Sequence, residues 1–282
     1  MPFLESAMNS IKYCLLLSLL LISSACLSQS SASSSSSSSP VVSIISSSVA
    51  SISAVSVSSV AISYTAQAVL QGYFSTEGLS PYVFPGQLKF SAMDSQWVTP
   101  TANGWRNELK LKTKYRKSMY ETSEKIKARI SIQVSPGAKT IILQCHDGGA
   151  GALVKIFLAD MVEVGNVNNI ALDGIFDVYA RVKGTDGVER KFPLGTVRSG
   201  EGFDFEYQND YGQITIIAFG RTVRTMVYDG SSVYLKYGSY LQAQHPVTQV
   251  EVDNPDDFAA FYLANGITQD IIKFQNLTYT HN

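Results

Sequence analysis

Cysteine is scarce in this sequence, and so is any strong excess of charge. Of the three cysteines only Cys145 lies beyond residue 63, so no disulfide bond can form within the rest of the chain. The 22 basic and 23 acidic residues give a formal net charge of -1, which gives no indication of a nucleic-acid partner or of a membrane surface. Recognition by charge must therefore depend on local clusters.

The apolar run nearest the N-terminus, residues 13 to 22, is too short to span a bilayer as a helix. It follows Lys12 and precedes small residues that end at Ala25 and Cys26, which is the layout of a secretory signal peptide over residues 1 to 26. Two alternatives stay open: Cys26 is the lipidated residue of a bacterial lipoprotein signal, or cleavage occurs near Ala25. Either predicts a secreted or outer-membrane-anchored protein, extracellular or periplasmic, with no membrane span.

Residues 27 to 63 contain neither an aromatic nor a charged side chain and are dominated by serine. Such a segment cannot build a core, so the composition predicts a flexible linker. The folded domain is expected to occupy residues 64 to 282, a length that suits one all-β domain.

Beyond residue 64 no sustained helical period occurs, and short runs of Val, Ile, Tyr and Phe alternate with turn residues. This pattern predicts an all-β fold of two packed sheets, a sandwich or jelly roll. A short helix is expected near residues 255 to 263, where acidic residues would occupy the first turn. The candidate strands are 105–112, 125–134, 140–146, 153–159, 176–183, 203–208, 213–219, 221–228 and 233–242.

Three of these strands place polar groups on one side, because residues two apart on a strand share a face. The residues that share a face are Arg106, Glu108 and Lys110 on the first strand, Gln144 and His146 on the second, and Tyr234, Lys236, Gly238, Tyr240 and Gln242 on the third. Cys145 is expected to point the other way, into apolar packing.

This set of side chains suits proton abstraction from C5 of a uronate. The sugar carboxylate must be neutralised, as an Arg and an amide can do, and a base and an acid of matched pKa must flank the sugar. His and Tyr can act as this base and acid, and Lys, Glu and Gln can bind the carboxylates and hydroxyls of neighbouring sugars. Residues 106 to 129 contain nine basic residues against three acidic ones, a local excess that predicts a polyanionic substrate at this segment.

The three segments resemble, in the same order, the signature motifs of polysaccharide lyase family 7, the alginate lyases: Arg-x-Glu-x-Arg, Gln-x-His and Tyr-x-Lys-x-Gly-x-Tyr-x-Gln. The third motif matches at all five positions and is the most specific. Lys110 replaces the second Arg of the first motif, which keeps the charge but loses the planar bidentate fork. Cys145 stands where Ile or Val is usual, so preference between guluronate and mannuronate is not predicted.

The resemblance implies that Arg106 and Gln144 neutralise the uronate carboxylate and that Tyr240 is the general acid on the glycosidic oxygen. It further implies that His146 is the base for guluronate, whereas Tyr240 plays both parts for mannuronate. Product oligosaccharides would carry an unsaturated uronate at the non-reducing end. The resemblance also implies a jelly roll with a concave substrate-binding sheet and no cofactor. The residues expected to bind or orient substrate are Glu108, Lys110, Tyr234, Lys236 and Gln242.

Three other functions stay open. A lyase of the same fold could act on another polyuronate, such as glucuronan, and a carbohydrate-binding module could use the aromatic residues without catalysis. A glycoside hydrolase needs two flanking carboxylic acids. Asp204 and Glu206 share a face but lack the third acidic partner of the usual strand motif. The acidic residues Asp160, Glu163 and Asp173 do not have the spacing of metal ligands, so no metal site is predicted. Nothing in the sequence requires an oligomer, so a monomer is expected.

Overall fold

Strands follow from the alternation of apolar and polar residues along most of the chain. In the computed structural model, which describes residues 66–83, 86–101 and 103–282, the strand β5 (Ser123–Val134) shows this clearly. It buries Ile126, Ala128, Ile130 and Ile132, whereas the residues that alternate with them are partly or fully exposed. Such a period of two gives each strand one face for a core and one face for solvent.

Fourteen strands, numbered in chain order, form two seven-stranded sheets among the described residues. Every pairing within these sheets is antiparallel. The first sheet contains, in spatial order, β1 (Phe74–Glu77), β4 (Gly104–Leu111), β13 (Val233–Gln242), β6 (Lys139–Asp147), β7 (Gly151–Ala159), β8 (Ile175–Lys183) and β9 (Glu189–Arg198). The second contains β12 (Arg221–Met226), β11 (Gln213–Ala218), β10 (Gly202–Asp210), β5, β14 (Asp270–His281), β3 (Gln87–Ser91) and β2 (Tyr82–Val83).

Helices are few and short in the described part of the chain. They are α1 (Ala66–Tyr73), α2 (Ala92–Ser95) and α3 (Phe258–Ala264), together with the 3-10 turns Thr113–Tyr115, Met119–Glu121 and Pro255–Asp257. Among the described residues, no helix combines the length and the apolar character that crossing a membrane requires.

The core lies between the two sheets and is rich in aromatic side chains. Tyr237 of β13 is completely buried there. Its ring contacts Phe74 edge-on at 5.2 Å between centroids, Phe90 at 6.0 Å and Phe274 at 5.4 Å. These four side chains come from strands of both sheets, so they fix the first sheet against the second and leave its other face open.

The structure confirms the predicted fold class, a two-sheet all-β jelly roll. All nine candidate strands are present, and the expected short helix is a 3-10 turn followed by α3. Five strands (β1, β2, β3, β9 and β14) and the helices α1 and α2 were not predicted. The signal peptide, Cys26, the linker and the expected boundary at residue 64 all lie outside the described residues.

Candidate functional site

A cleft of about 380 Å³ lies over the outer face of the first sheet. Every residue predicted for the site from the three motifs lines this cleft except Glu108, which lies beneath it. The predicted residues that line it are Arg106, Lys110, Gln144, His146, Tyr234, Lys236, Tyr240 and Gln242. The strand pattern therefore brings the three motifs to one place.

Strand register explains why the motifs meet. β13 lies between β4 and β6, so its polar residues have partners on one or both of these strands. Tyr240 lies opposite Arg106, and Tyr234 lies opposite His146. Lys236 lies opposite Lys110 on one side and Gln144 on the other. Residues directly opposite one another project from the same face of an antiparallel pair, which places all of them in the cleft.

Gly238 allows β13 and β4 to approach closely at the centre of the site. A Cβ atom at this position would lie 2.3 Å from the main-chain oxygen of Asn107 and 2.8 Å from the ring of Phe90. Its φ of +147° is a conformation that residues with side chains rarely adopt. The pairing of β13 with β6 shifts register between Tyr237 and Tyr240, next to this glycine. The close approach at Gly238 is thus made by the backbone of β4.

Glu108 is completely buried and joins three functional side chains. Its Oε1 accepts a hydrogen bond from Gln144 Nε2 at 2.8 Å. Its Oε2 lies 3.4 Å from an Arg106 guanidinium nitrogen and 3.4 Å from Lys236 Nζ. The Glu108 carboxylate therefore orients the side chains of Arg106, Gln144 and Lys236. It does not itself reach the cleft.

Glu77 on β1 belongs to the same charge network, although sequence reasoning missed it. It pairs with Lys236 and lies 2.9 Å from Lys110 Nζ. Burial raises the pKa of the Glu77 carboxyl, but the two ammonium groups outweigh burial and lower it overall. Glu77 also lies opposite Glu108 in the sheet, a pairing of like charges that Lys236 neutralises by bridging both. No motif marks Glu77, because β1 is a short edge strand far from the others in sequence.

Tyr240 is held through both its hydroxyl and its ring. The hydroxyl donates to Asn103 Oδ1 and accepts a hydrogen bond from the Asn103 main-chain N–H at 3.1 Å. The Arg106 guanidinium carbon lies 3.5 Å from the ring centroid, a cation–π contact that also positions Arg106. Arg106 Nε is buried without a hydrogen-bond partner among the described residues, so this arginine keeps unused donor capacity. Asn103 is a second site residue that the sequence did not reveal.

His146 is half-buried, and its Nδ1 lies 3.1 Å from the Tyr234 hydroxyl. Burial lowers the pKa of His146 below its ordinary value, and the positive charge of Lys236 lowers it further. The imidazole is therefore neutral at neutral pH, with a nitrogen able to take up a proton. Tyr234 is packed by Arg116, whose guanidinium carbon lies 4.1 Å from the ring centroid, and burial raises the Tyr234 pKa. That pKa shift keeps the Tyr234 phenol protonated.

Only part of the basic segment faces the cleft. Arg106 and Lys110 line it, whereas the three basic residues of β5 belong to the second sheet, so the polyanion expected at this segment can meet only part of it in the cleft. Lys125 instead lies 2.6 Å from Glu206, and Arg129 lies 3.4 Å from Asp204. The two carboxylates considered for hydrolysis therefore form ion pairs on the second sheet, away from the cleft.

The remaining expectations concern Cys145 and the metal-ligand candidates. Cys145 is buried in the core as predicted, and its Sγ lies 3.8 Å from the sulfur of Met119. Burial raises the pKa of this thiol well above its ordinary value, which makes it unreactive. Asp160 accepts hydrogen bonds from the main-chain N–H groups of Gly137 and Gly174, a structural role. No group of three or more potential metal ligands occurs in the described ranges.

Comparisons with known proteins were made for the whole chain. A family model described as alginate lyase matches residues 56–281. A solved structure of a polysaccharide lyase family 18 protein, aly-SJ02, is 37% identical, with 76% of this chain and 96% of that chain covered and a TM-score of 0.73. An alginate lyase from Alteromonas sp. 272 is also 37% identical with the same coverage, and its TM-score is 0.74. A family 7 alginate lyase, AlgAT5, is 18% identical, with 70% and 77% covered and a TM-score of 0.42. No protein with a curated description matches the sequence.

Proposed function

The chain belongs to the alginate lyase family and is a polysaccharide lyase acting on alginate, and we propose that the cleft over the first sheet cleaves this polymer by β-elimination. The observation that carries the proposal is the meeting of four side chains in this one cleft. They are an arginine, an amide, a neutral imidazole and a phenol: Arg106, Gln144, His146 and Tyr240.

Arg106 and Gln144 neutralise the carboxylate of the sugar whose C5 proton is removed. Each of these two side chains donates a hydrogen bond to Glu108 through one nitrogen. This bond fixes the orientation of the side chain and leaves its other N–H groups for the substrate. Donors that meet the developing negative charge stabilise the enolate-like transition state, and their effect is larger in a partly desolvated cleft. Lys236 and Lys110 add positive charge beside them, held in place by Glu77.

The bond changes follow from the positions of a base and an acid. The base removes the proton on C5, the electron pair forms the double bond between C4 and C5, and the C4–O bond to the leaving sugar breaks. Tyr240 gives its phenolic proton to the leaving oxygen. His146 is the base for guluronate, and Tyr240 takes both parts for mannuronate. The products carry an unsaturated uronate at the new non-reducing end.

Replacing Tyr240 with phenylalanine tests the proposal. Tyr240→Phe keeps the ring under Arg106 but removes the only proton that the acid can donate. We expect near-complete loss of the absorbance from the unsaturated product, by at least about 100-fold, with the fold retained by circular dichroism. Tyr211→Phe, at an exposed turn between β10 and β11, is the matched control and should turn over normally. Normal turnover by Tyr240→Phe would contradict the mechanism.

Substrate tests separate the alternatives that the residues leave open. The purified protein should form unsaturated product from polymannuronate, polyguluronate or alternating alginate, and the comparison of the three gives the sugar preference. Turnover of glucuronan alone would identify another polyuronate as the substrate. Tight binding without any product would identify a carbohydrate-binding module.

We further propose that the enzyme is exported and acts as a monomer. The apolar run, the small residues up to Ala25 and the serine-rich segment support a signal peptide and a linker. Lipid attachment at Cys26 would tether the enzyme to the outer membrane, whereas cleavage near Ala25 would release it. Mass spectrometry of the mature N-terminus from a bacterial host distinguishes a diacylglycerol-modified Cys26 from an unmodified one.

A further inference from the structure

A single row of residues crosses the first sheet at right angles to its strands. The row is defined by strand pairing, because directly opposite residues share a face. From β4 to β9 its members are Lys110, Lys236, Gln144, Lys155, Arg181 and Lys191, each opposite the next. All but one carry a positive charge. We call the last three, on β7, β8 and β9, the distal cations.

The spacing of the row suits a polymer with one negative charge on each sugar. Neighbouring strands lie roughly 4.8 Å apart, so the row extends over roughly 24 Å. One step from strand to strand is comparable with the length of one sugar ring along a chain. A polyuronate laid along the row would therefore present its carboxylates at intervals similar to those of the basic side chains.

The distal half of the row is built around two carboxylates that hold the cations in place. Glu163 is buried and accepts hydrogen bonds from Lys139 at 3.2 Å, from Lys191 at 3.0 Å and from Arg181. Glu189 lies 2.8 Å from Lys155 and 3.3 Å from Arg181. Burial opposes ionisation of Glu163, but its cationic neighbours and the Tyr179 hydroxyl lower its pKa to about 2. Glu163 therefore remains charged at any working pH.

These carboxylates do not neutralise all of the local positive charge. Lys139 and the three distal cations outnumber the carboxylates Glu163, Glu189 and nearby Glu251 by one. Lys155 and Arg181 keep 21% and 29% of their side chains exposed. Both line the same cleft as the motif residues, and Arg181 also borders a neighbouring cavity of about 310 Å³. Donors thus face the solvent on the side where the substrate would lie.

We propose that the distal cations bind the carboxylates of uronate residues beyond the bond that is cleaved, so that the polymer crosses the sheet along this row. The inference rests on the proposed function, because it assumes that the cleaved bond lies over β13 and β6. It follows that the enzyme binds long chains more tightly than short ones, since only a long chain reaches both the motif residues and the distal cations.

The test compares long and short substrates in a variant of the distal half. Lys155→Gln/Arg181→Gln removes two positive charges and retains hydrogen-bonding groups of similar length. We expect KM for polymeric alginate to rise about tenfold or more, because charge-assisted contacts are lost, and KM for a trisaccharide to change much less. Added salt should weaken polymer binding less in this variant than in the wild type. Lys127→Gln, an exposed lysine on the second sheet, is the matched control and should leave both KM values unchanged.

The outcomes separate this inference from the proposed function. Equal changes for polymer and trisaccharide, or none, would overturn the inference while Tyr240→Phe could still be inactive. Conversely, a catalytically normal Tyr240→Phe would overturn the proposed mechanism even if the double variant lost affinity for polymer. Should the double variant not fold, Lys155→Gln alone gives the same comparison, because Glu189 is the single ionic partner of Lys155 among the described residues.

Discussion

At the scale of single residues, the site depends on two carboxylates that take no part in the chemistry. Glu108 holds Arg106 and Gln144 from below, and Glu77 holds Lys236 and Lys110 from the side. Long basic side chains lose considerable rotational freedom when they are ordered, and a buried partner offsets that cost before the substrate arrives. The motif residues therefore work as one network.

His146 gives a prediction for pH dependence at this same scale. A base must be deprotonated, and burial and Lys236 lower the His146 pKa, so activity on polyguluronate should persist to lower pH than an ordinary histidine allows. We expect the acidic limb of kcat/KM to have its midpoint below 6.5, and Lys236→Met to move that midpoint upwards while reducing the rate. Lys127→Met, which removes the same charge from the second sheet, should not move it. A wild-type midpoint above 6.5 would exclude His146 as the base.

At the scale of elements, Asp270 connects three parts of the structure behind the site. Its buried carboxylate accepts hydrogen bonds from the N–H groups of Ala92 at 2.9 Å and Met93 at 2.8 Å, at the start of α2. It also accepts from Ser239 Oγ at 2.6 Å, next to Tyr240 on β13. Asp270 is itself the first residue of β14, so one side chain fixes α2 and both sheets relative to one another.

Asp270 makes a measurable contribution to stability. Burial raises its pKa to about 6, although four hydrogen bonds favour the charged form. Between about pH 4 and pH 6 the folded protein therefore holds a proton that the unfolded chain has lost, and this contribution to the free energy of unfolding falls as pH rises, by roughly 3 kcal/mol in total. Urea denaturation from pH 4 to 7 should show this decline in the wild type.

Asp270→Asn should lack that decline, because its amide does not titrate. The variant should also be less stable at every pH, since an NH₂ group would face backbone donors in place of an acceptor. The same pH slope in the wild type and in Asp270→Asn would show that the carboxyl does not titrate in this range.

Length and composition separate the predicted strands from most of those that the sequence missed, but not from β14, which has twelve residues. β6 and β13 have nine and ten residues and contain β-branched or aromatic side chains, so they could be predicted. β1 has four residues and β2 has two, too few for a period to emerge. β9 contains Pro193 and Gly195, which favour other conformations, and it is nevertheless a strand because it pairs with β8 at the edge of the sheet. Tertiary pairing decided its structure.

The same limit explains which site residues could be predicted. Four site residues belong to motifs whose fixed positions are two residues apart, so the sequence alone places those of each strand on one face. They are Arg106, Gln144, His146 and Tyr240. Glu77 and Asn103 reach the site through long-range pairing of β1 with β4 and of Asn103 with Tyr240, which no local pattern encodes. Lys155, Arg181 and Lys191 required the complete order of the sheet before they formed a row.

At the scale of the whole molecule, the first sheet carries the proposed site and the second sheet supports it. The second sheet buries one face of the first through the aromatic core, which leaves the opposite face free for the cleft. A rigid sheet keeps the groups on β4, β6 and β13 at fixed distances, as transition-state stabilisation requires. Six basic residues and one acidic residue line the cleft, so its lining is positive although the chain as a whole is nearly neutral.

Mass spectrometry of the oligosaccharides that the purified protein releases from alginate decides whether this face breaks the polymer by elimination. Elimination predicts products that absorb in the ultraviolet and whose masses sum to the mass of the parent chain. Products that lack this absorbance and are heavier by one water for each cut would show hydrolysis and overturn the mechanism.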